Sequence, residues 1–157
     1  MLKIKIVVVD RTRARFLSDG ESLYLKRLRR YAPTEWIEVK PARIKKGVPT
    51  EAVLGAEAEA IKKRVHERDY VFALSISGKS YTSDGLARRF EKLSLTQDRI
   101  CFIIGGPLGL SGEILDKTAD ETLSLSTLTL THEMARLILL EQIYRAFTIL
   151  KGEKYHK

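Results

Sequence analysis

The stretch Ile103-Ile104-Gly105-Gly106-Pro107-Leu108-Gly109-Leu110 ends an apolar run in three glycines and a proline. Such a change occurs where backbone must come close to something a side chain would block. At the carboxyl end of a strand in an open α/β sheet, that something is commonly a ligand. No Gly-Lys-Ser or Gly-Lys-Thr follows, so the loop is not a P-loop. Its Gly-Gly-x-x-Gly spacing is not the dinucleotide fingerprint, and Pro107 removes an amide that a phosphate would want. A tight structural turn is the competing reading. Two other segments share the pattern: Ser77-Gly78-Lys79 after an apolar run, and Thr122 to Thr131, rich in small hydroxyl residues. If their strands are neighbours, the three loops converge. Converging main-chain donors and acceptors suit an uncharged ring such as adenine.

Few other residues offer chemistry. Tyr155-His156-Lys157 groups a phenol, an imidazole and a cation in the last three positions, where chains are usually frayed and idle. His132, just before a helix, is expected to be structural or capping, and His66 to sit idle on an exposed helix. No Cys/His or carboxylate cluster has metal-ligand spacing, and no nucleophile elbow or paired-acid arrangement stands out. The lone Cys101 rules out an intrachain disulfide, fits a reducing cytoplasm, and lies in an apolar run as a buried, inert thiol. Binding loops without a nucleophile favour transfer chemistry, in which cofactor and substrate react directly and the protein positions them.

The elements that must do the positioning alternate. Strands are expected over Lys3 to Val9, Glu35 to Val39, Tyr70 to Ile76 and Arg99 to Ile104. Helices are expected over Ser18 to Tyr31 (capped by Ser18 or Asp19) and Thr50 to Arg68 (capped by Thr50). A shorter one, capped by Ser83 or Asp84, runs to Leu93, and another, capped by Ser111, to about Ala119. Pro41 to Pro49 reads as a basic, mobile loop. The last helix, His132 to Leu150, is apolar on more than one face and ends at Gly152. It calls for burial on two sides, either deep in a monomer or between its own sheet and a second subunit. The pattern is α/β with a mostly parallel sheet flanked by helices, as a single domain over residues 1–157.

The chain has 157 residues and a formal net charge of +8. Residues 1–46 carry 13 Lys or Arg against 5 Asp or Glu, while residues 47–157 carry 15 of each. A basic excess concentrated in the first third suits a polyanion such as nucleic acid; a merely solvated surface is the plainer alternative. No apolar run approaches the roughly 20 residues needed to span a bilayer, and Met1 to Val9 reads as a strand rather than a signal peptide.

Several blocks, in order, carry a resemblance: Leu74 to Lys79, Ile104 to Leu110, Leu123 to Leu130, and Glu141 to Lys157. Through them the chain resembles the RlmH family of SPOUT (α/β-knot) methyltransferases, which modify a pseudouridine in 23S ribosomal RNA. The resemblance implies a C-terminal trefoil knot, an exception to the rule that chains do not thread loops. It implies an S-adenosylmethionine site at Leu74, Gly105, Leu125, Ser126, Thr127, Leu128, Thr129 and Leu130, with no metal. It implies a cytoplasmic homodimer in which the tail of one subunit completes the other's site, acting on ribosomal RNA or the assembled ribosome. Tyr155, His156 and Arg145 are then the catalytic candidates and Lys157 a substrate contact. The reaction implied is methyl transfer to N3 of the pseudouridine, with His156 as base or orienting group, or a nearby cation stabilising the imide anion. Two departures stand out. Thr131 replaces a proline usual in the family, and Val9-Asp10-Arg11 replaces a glycine turn. A rival reading, a non-catalytic knotted RNA-binding module on the ribosome, is disfavoured by the intact glycine loop and tail.

Overall fold

A computed structural model describes residues 2–157. Strands β1 (Lys3–Val9), β2 (Thr34–Val39), β3 (Asp69–Ser80), β4 (Arg99–Ile104) and β5 (Glu121–Ser124) form one sheet in the order β2-β1-β4-β3-β5. Every pairing is parallel. The helices are α1 (Arg15–Leu28), α2 (Thr50–Lys62), α3 (Ser83–Ser94) and α4 (His132–Leu150).

The continuously apolar strands are explained by two cores. Ile4, Ile6 and Val8 of β1, with Ile100, Phe102 and Ile104 of β4, pack on α1, α3 and α4. The alternate residues Val7, Val9, Cys101 and Ile103 pack on α2 and the turn at Ile114. A parallel sheet covered on both faces needs apolar residues at both parities of the pleat. Cys101 is fully buried, and burial pushes its thiol up to about 12, so it is inert as expected.

Long-range contacts move several boundaries. Helix α1 starts at Arg15, not Ser18, and its N-cap Ala14 has no capping side chain. The carboxylate of Glu133 in α4 does that work from afar, accepting from the amides of Arg13 (2.9 Å) and Ala14 (3.0 Å). Helix α2 is entered from Pro49 rather than capped by Thr50, and it stops at Lys62 rather than Arg68. There the Arg64 carbonyl accepts from Lys5 Nζ at 2.8 Å, and Asp69 accepts from the His66 amide at 2.9 Å, which turns the chain into β3. His66 therefore lies outside the helix. Lys5 also pairs with Asp69 at 2.8 Å, both side chains buried, and Arg99 joins them. Thr82, not Ser83 or Asp84, caps α3 by accepting from the Gly85 amide at 2.9 Å. The helix expected after Ser111 is a π-helical turn, Ile114–Thr118, closed by the Ala119 amide on the Ile114 carbonyl at 2.9 Å.

Both departures from the family pattern have a structural answer. Asp10 takes φ 71°, the left-handed turn conformation otherwise left to glycine, and its carboxylate accepts from the Arg11 amide at 2.8 Å. Thr131 caps α4 by accepting from the Met134 amide at 3.2 Å.

Helix α4 packs against α1 and α3 and leaves no residue from His132 to Leu150 fully exposed. Leu137, Ile138 and Tyr144 remain half-buried. Gly152, at φ 68°, ends it.

Candidate functional site

Strands β4, β3 and β5 are neighbours, so the three loops do converge at their carboxyl ends. They enclose a cleft of about 700 Å³. Its walls come from Leu74 to Ile76, the glycine loop from Gly105 to Leu110, and the segment from Leu123 to His132.

Each wall is locally determined. In the glycine loop Gly106 and Gly109 pair across a tight turn, with the Gly109 amide donating to the Gly106 carbonyl at 3.0 Å. Pro107 takes the corner, where its fixed φ helps and its missing amide costs nothing. Gly109 has φ 83°, and a Cβ on Gly105 would lie 2.3 Å from the Gly109 carbonyl oxygen. Only glycine fits at 105.

The second wall differs from the expected strand end. β3 runs through Ser77-Gly78-Lys79 to Ser80, but both Leu74 and Lys79 pair with Leu123. The residues between form a bulge, which carries Ser75 and Ile76 to the cleft. A Cβ on Gly78 would be 2.7 Å from the backbone of Thr122 and Leu123, so this glycine permits the close return to β5.

In the third wall Ser124 Oγ donates to the Ser126 carbonyl at 3.0 Å, and Ser126 Oγ accepts from the Leu128 amide at 2.9 Å. These short-range bonds hold the loop open without regular structure. Leu74, Gly105, Leu125, Ser126, Leu128, Thr129 and Leu130 all line the cleft. Thr127 belongs to the same loop but is exposed and lies outside the lining.

His132 also lines the cleft, a position its expected structural role did not convey. Burial, then the charge of Arg136, lowers its pKa, so the imidazole is neutral at pH 7. The sequence clue was its place directly after the hydroxyl-rich loop. Leu128 (75% exposed) and Ile76 (57%) form apolar lips at the mouth. Main-chain polar groups between apolar lips, with little charge, suit a neutral ring bearing a short polar chain.

The tail residues form a separate cluster. Glu141 accepts from Arg145 Nε at 3.1 Å and from the Tyr155 hydroxyl at 3.0 Å. Tyr155 also bonds Tyr24 at 3.0 Å, and the Arg145 guanidinium lies 4.8 Å from the Tyr155 ring centroid. Burial, then the bonds to Tyr24 and Glu141, push the Tyr155 phenol well up, so it stays protonated. Arg145 Nη1 meets His156 Nδ1 at 3.1 Å. Arginine only donates, so Nδ1 accepts and the ring proton sits on Nε2, 3.6 Å from Asp84. Lys157 is exposed beside them. Glu141, the hub of this cluster, gave no signal in the sequence beyond its helical spacing from Arg145.

The two groups do not meet within the chain. Ala135 lines the cleft and Arg145 anchors the tail, ten residues further along α4. At 1.5 Å per residue they are about 15 Å apart. Among the described residues, no group of three His, Cys, Asp or Glu is placed to hold a metal ion, and no helix is long and apolar enough to cross a membrane.

The family model described as "Predicted SPOUT methyltransferase" matches residues 2–156. The chain belongs to the SPOUT methyltransferase family. Curated members named "Ribosomal RNA large subunit methyltransferase H" match it end to end. The one from Halothermothrix orenii is 46% identical over 99% of this chain and 100% of its own length. One from Streptococcus pyogenes is 41% identical and one from Enterococcus faecalis 38%, each over the same shares. Among solved structures, a probable methylase family protein from Haemophilus influenzae shares the fold at TM-score 0.56. It is 19% identical and covers 98% of this chain and 70% of the other. SPOUT methyltransferases generally take S-adenosylmethionine, and an apolar cleft with glycine backbone at the end of β4 fits that molecule's size and chemistry.

Proposed function

We propose that this chain is an S-adenosylmethionine-dependent methyltransferase of large-subunit ribosomal RNA, acting in the cytoplasm at N3 of a pseudouridine. The observation that carries the reading is the convergence of the Leu74, Gly105 and Leu125–Leu130 walls in a SPOUT chain. The C-terminal knot belongs to the same reading, supported by β5 returning beside β3 and the loop after it forming the cleft wall.

Bound S-adenosylmethionine supplies the methyl group and its own leaving group. Leu74 and the 125–130 loop would hold the adenine by main-chain bonds, and Gly105 would let that ring approach the backbone. Neutral His132 at the cleft wall adds no charge to repel the sulfonium. The pseudouridine must lose its N3 proton, which leaves to bulk water as the imide anion forms. His156, with Nδ1 taken by Arg145 and its proton on Nε2, suits orienting the base rather than accepting that proton. Arg145 stays cationic beside Glu141 and can stabilise the imide anion. Tyr155, protonated and donating to Glu141, can hold Arg145 in place over its ring, and Lys157 can hold a phosphate.

The separation of about 15 Å between cleft and tail supports a homodimer, each tail serving the partner's cleft. The half-buried Leu137, Ile138 and Tyr144 on α4 offer apolar surface for that contact.

Calorimetry with S-adenosylmethionine, and methyl transfer to ribosomes lacking the modification, test the function. Cofactor binding with transfer is expected. Absence of binding, or binding without transfer, refutes it. A concentration-independent monomer in gel filtration refutes the shared site.

A further inference from the structure

The chain has twelve aromatic residues, and eleven are buried or half-buried. The exception is Phe16, 68% exposed in the first turn of α1. A single exposed aliphatic residue on a surface needs no explanation. A lone exposed phenylalanine among cations, in a helix turn tied to the residue after cleft-lining His132, does.

The charge comes from the same turn. Arg15 and Arg13 have side chains 94% and 63% exposed, and Arg11 is exposed as well. Asp10 and Asp19 pair with Arg13 and Arg15 from outside the turn, and the first turn of α1 itself holds no acidic side chain. The basic loop from Lys40 to Lys46 leaves the sheet next door, since the Asp10 amide bonds the Val39 carbonyl at 2.8 Å.

The segment is held rigidly. Arg136, fully buried in α4, donates to the Val9 carbonyl at 2.6 Å and to Thr12 Oγ1 at 2.9 Å. Thr12 donates in turn to buried Glu21 at 2.8 Å. Glu133 ties down the Arg13 and Ala14 amides, and it directly follows cleft-lining His132. The segment before Phe16 is thus tied to the cleft wall through two residues of α4, Glu133 and Arg136.

We infer that Phe16, flanked by Arg11, Arg13 and Arg15, is a stacking platform for an unpaired RNA base beside the target nucleotide. Resting on the ribosomal RNA reading above, this assigns the docking surface. An aromatic face accepts any base, the arginines hold the adjoining phosphates, and the pinned loop pays little ordering entropy on binding. The alternative occupant is a second copy of the chain, since Leu23, one heptad on, is 46% exposed. Three cations in and before the first turn make RNA the better match.

The test uses the full chain and a fluorescein-labelled single-stranded RNA ten-mer in anisotropy titrations, with cofactor calorimetry and sedimentation in parallel. F16A should weaken RNA binding about tenfold, within a range of roughly 5- to 100-fold. F16W should stay within about twofold of wild type. R15A should lower the slope of log affinity against log salt by about one. Cofactor affinity, sedimentation mass and melting temperature should not move in F16A. Wild-type RNA affinity in F16A overturns the platform, as does a loss that appears only with dissociation of the dimer. If wild type binds the cofactor but neither the ten-mer nor ribosomes, the RNA reading itself fails and the platform with it.

Discussion

Replacing Gly105 with alanine tests the cleft at its tightest point. The new methyl would sit 2.3 Å from the Gly109 carbonyl oxygen and 2.5 Å from its carbon. Both are backbone atoms in a turn closed at 3.0 Å by the Gly106–Gly109 bond, so no side chain can rotate away. Restoring van der Waals contact moves the turn by roughly 1 Å, an overpacking cost of about 1–3 kcal/mol. A shift of that size stretches a main-chain bond to a ligand beyond hydrogen-bonding distance, and each lost bond costs about 0.5–1.5 kcal/mol. Losing two weakens S-adenosylmethionine binding by roughly 5- to 150-fold. Gly106→Ala is the control. Its φ is not positive, and its Cβ would meet Val9 at 3.5 Å and Glu57 at 3.7 Å, ordinary contacts. Calorimetric titration of both variants, with melting curves to confirm folding, decides the matter. A Gly105→Ala protein binding within threefold of wild type refutes the reasoning, as does a Gly106→Ala protein equally impaired.

Other consequences are as direct. Arg136→Met leaves the buried Val9 carbonyl and Thr12 without their donor; denaturant unfolding should show about 1–3 kcal/mol of lost stability, and a loss below about 0.5 kcal/mol would contradict the network. Burial raises the Asp69 pKa, but bonds from Lys5, the His66 amide and Arg99 outweigh it and leave the value lowered. Its stabilisation is therefore complete above about pH 4 and lost as pH falls through the lowered folded value. Asp69→Asn should flatten that acid limb in unfolding midpoints taken from pH 6 to pH 2; an unaltered limb argues against the pair. Cys101 should resist iodoacetamide at pH 8 until denaturant is added, and labelling of the folded protein would show the core to be open. Deleting Tyr155 to Lys157 should abolish methyl transfer while cofactor affinity stays within about twofold; normal transfer would remove the tail from the reaction.

Local patterns carried much of this fold in the sequence. The alternation of apolar runs with helical periods gave the α/β class, and α4 fell on its expected bounds because Thr131 and Gly152 are short-range signals. The glycine loop was readable as a close backbone approach at a strand end, with a tight turn as the alternative, and the turn closed between Gly106 and Gly109 is part of that approach. What escaped was set by residues far apart in the chain. Glu133 caps α1 across more than a hundred positions, so Ser18 misled. Lys5 and Asp69 end α2 early, by an ion pair no periodicity reports. The β3 bulge depends on Gly78 meeting β5, and the hub role of Glu141 on where the chain folds after Gly152. That His132 lines the cleft was not legible, because a lone histidine says nothing of the wall it stands in.

Helix α4 has a consequence for how such a chain can evolve. One end forms part of the cleft and the other fixes the tail cluster, so the helix is a strut of set length. Adding one residue between Ala135 and Arg145 would turn the far end by about 100° and advance it by 1.5 Å. The tail would then face another quarter, whatever its side chains. Insertions and deletions in α4 are closed whatever the residue; length variation belongs in loops such as the one between β2 and α2, which join no two parts of the site.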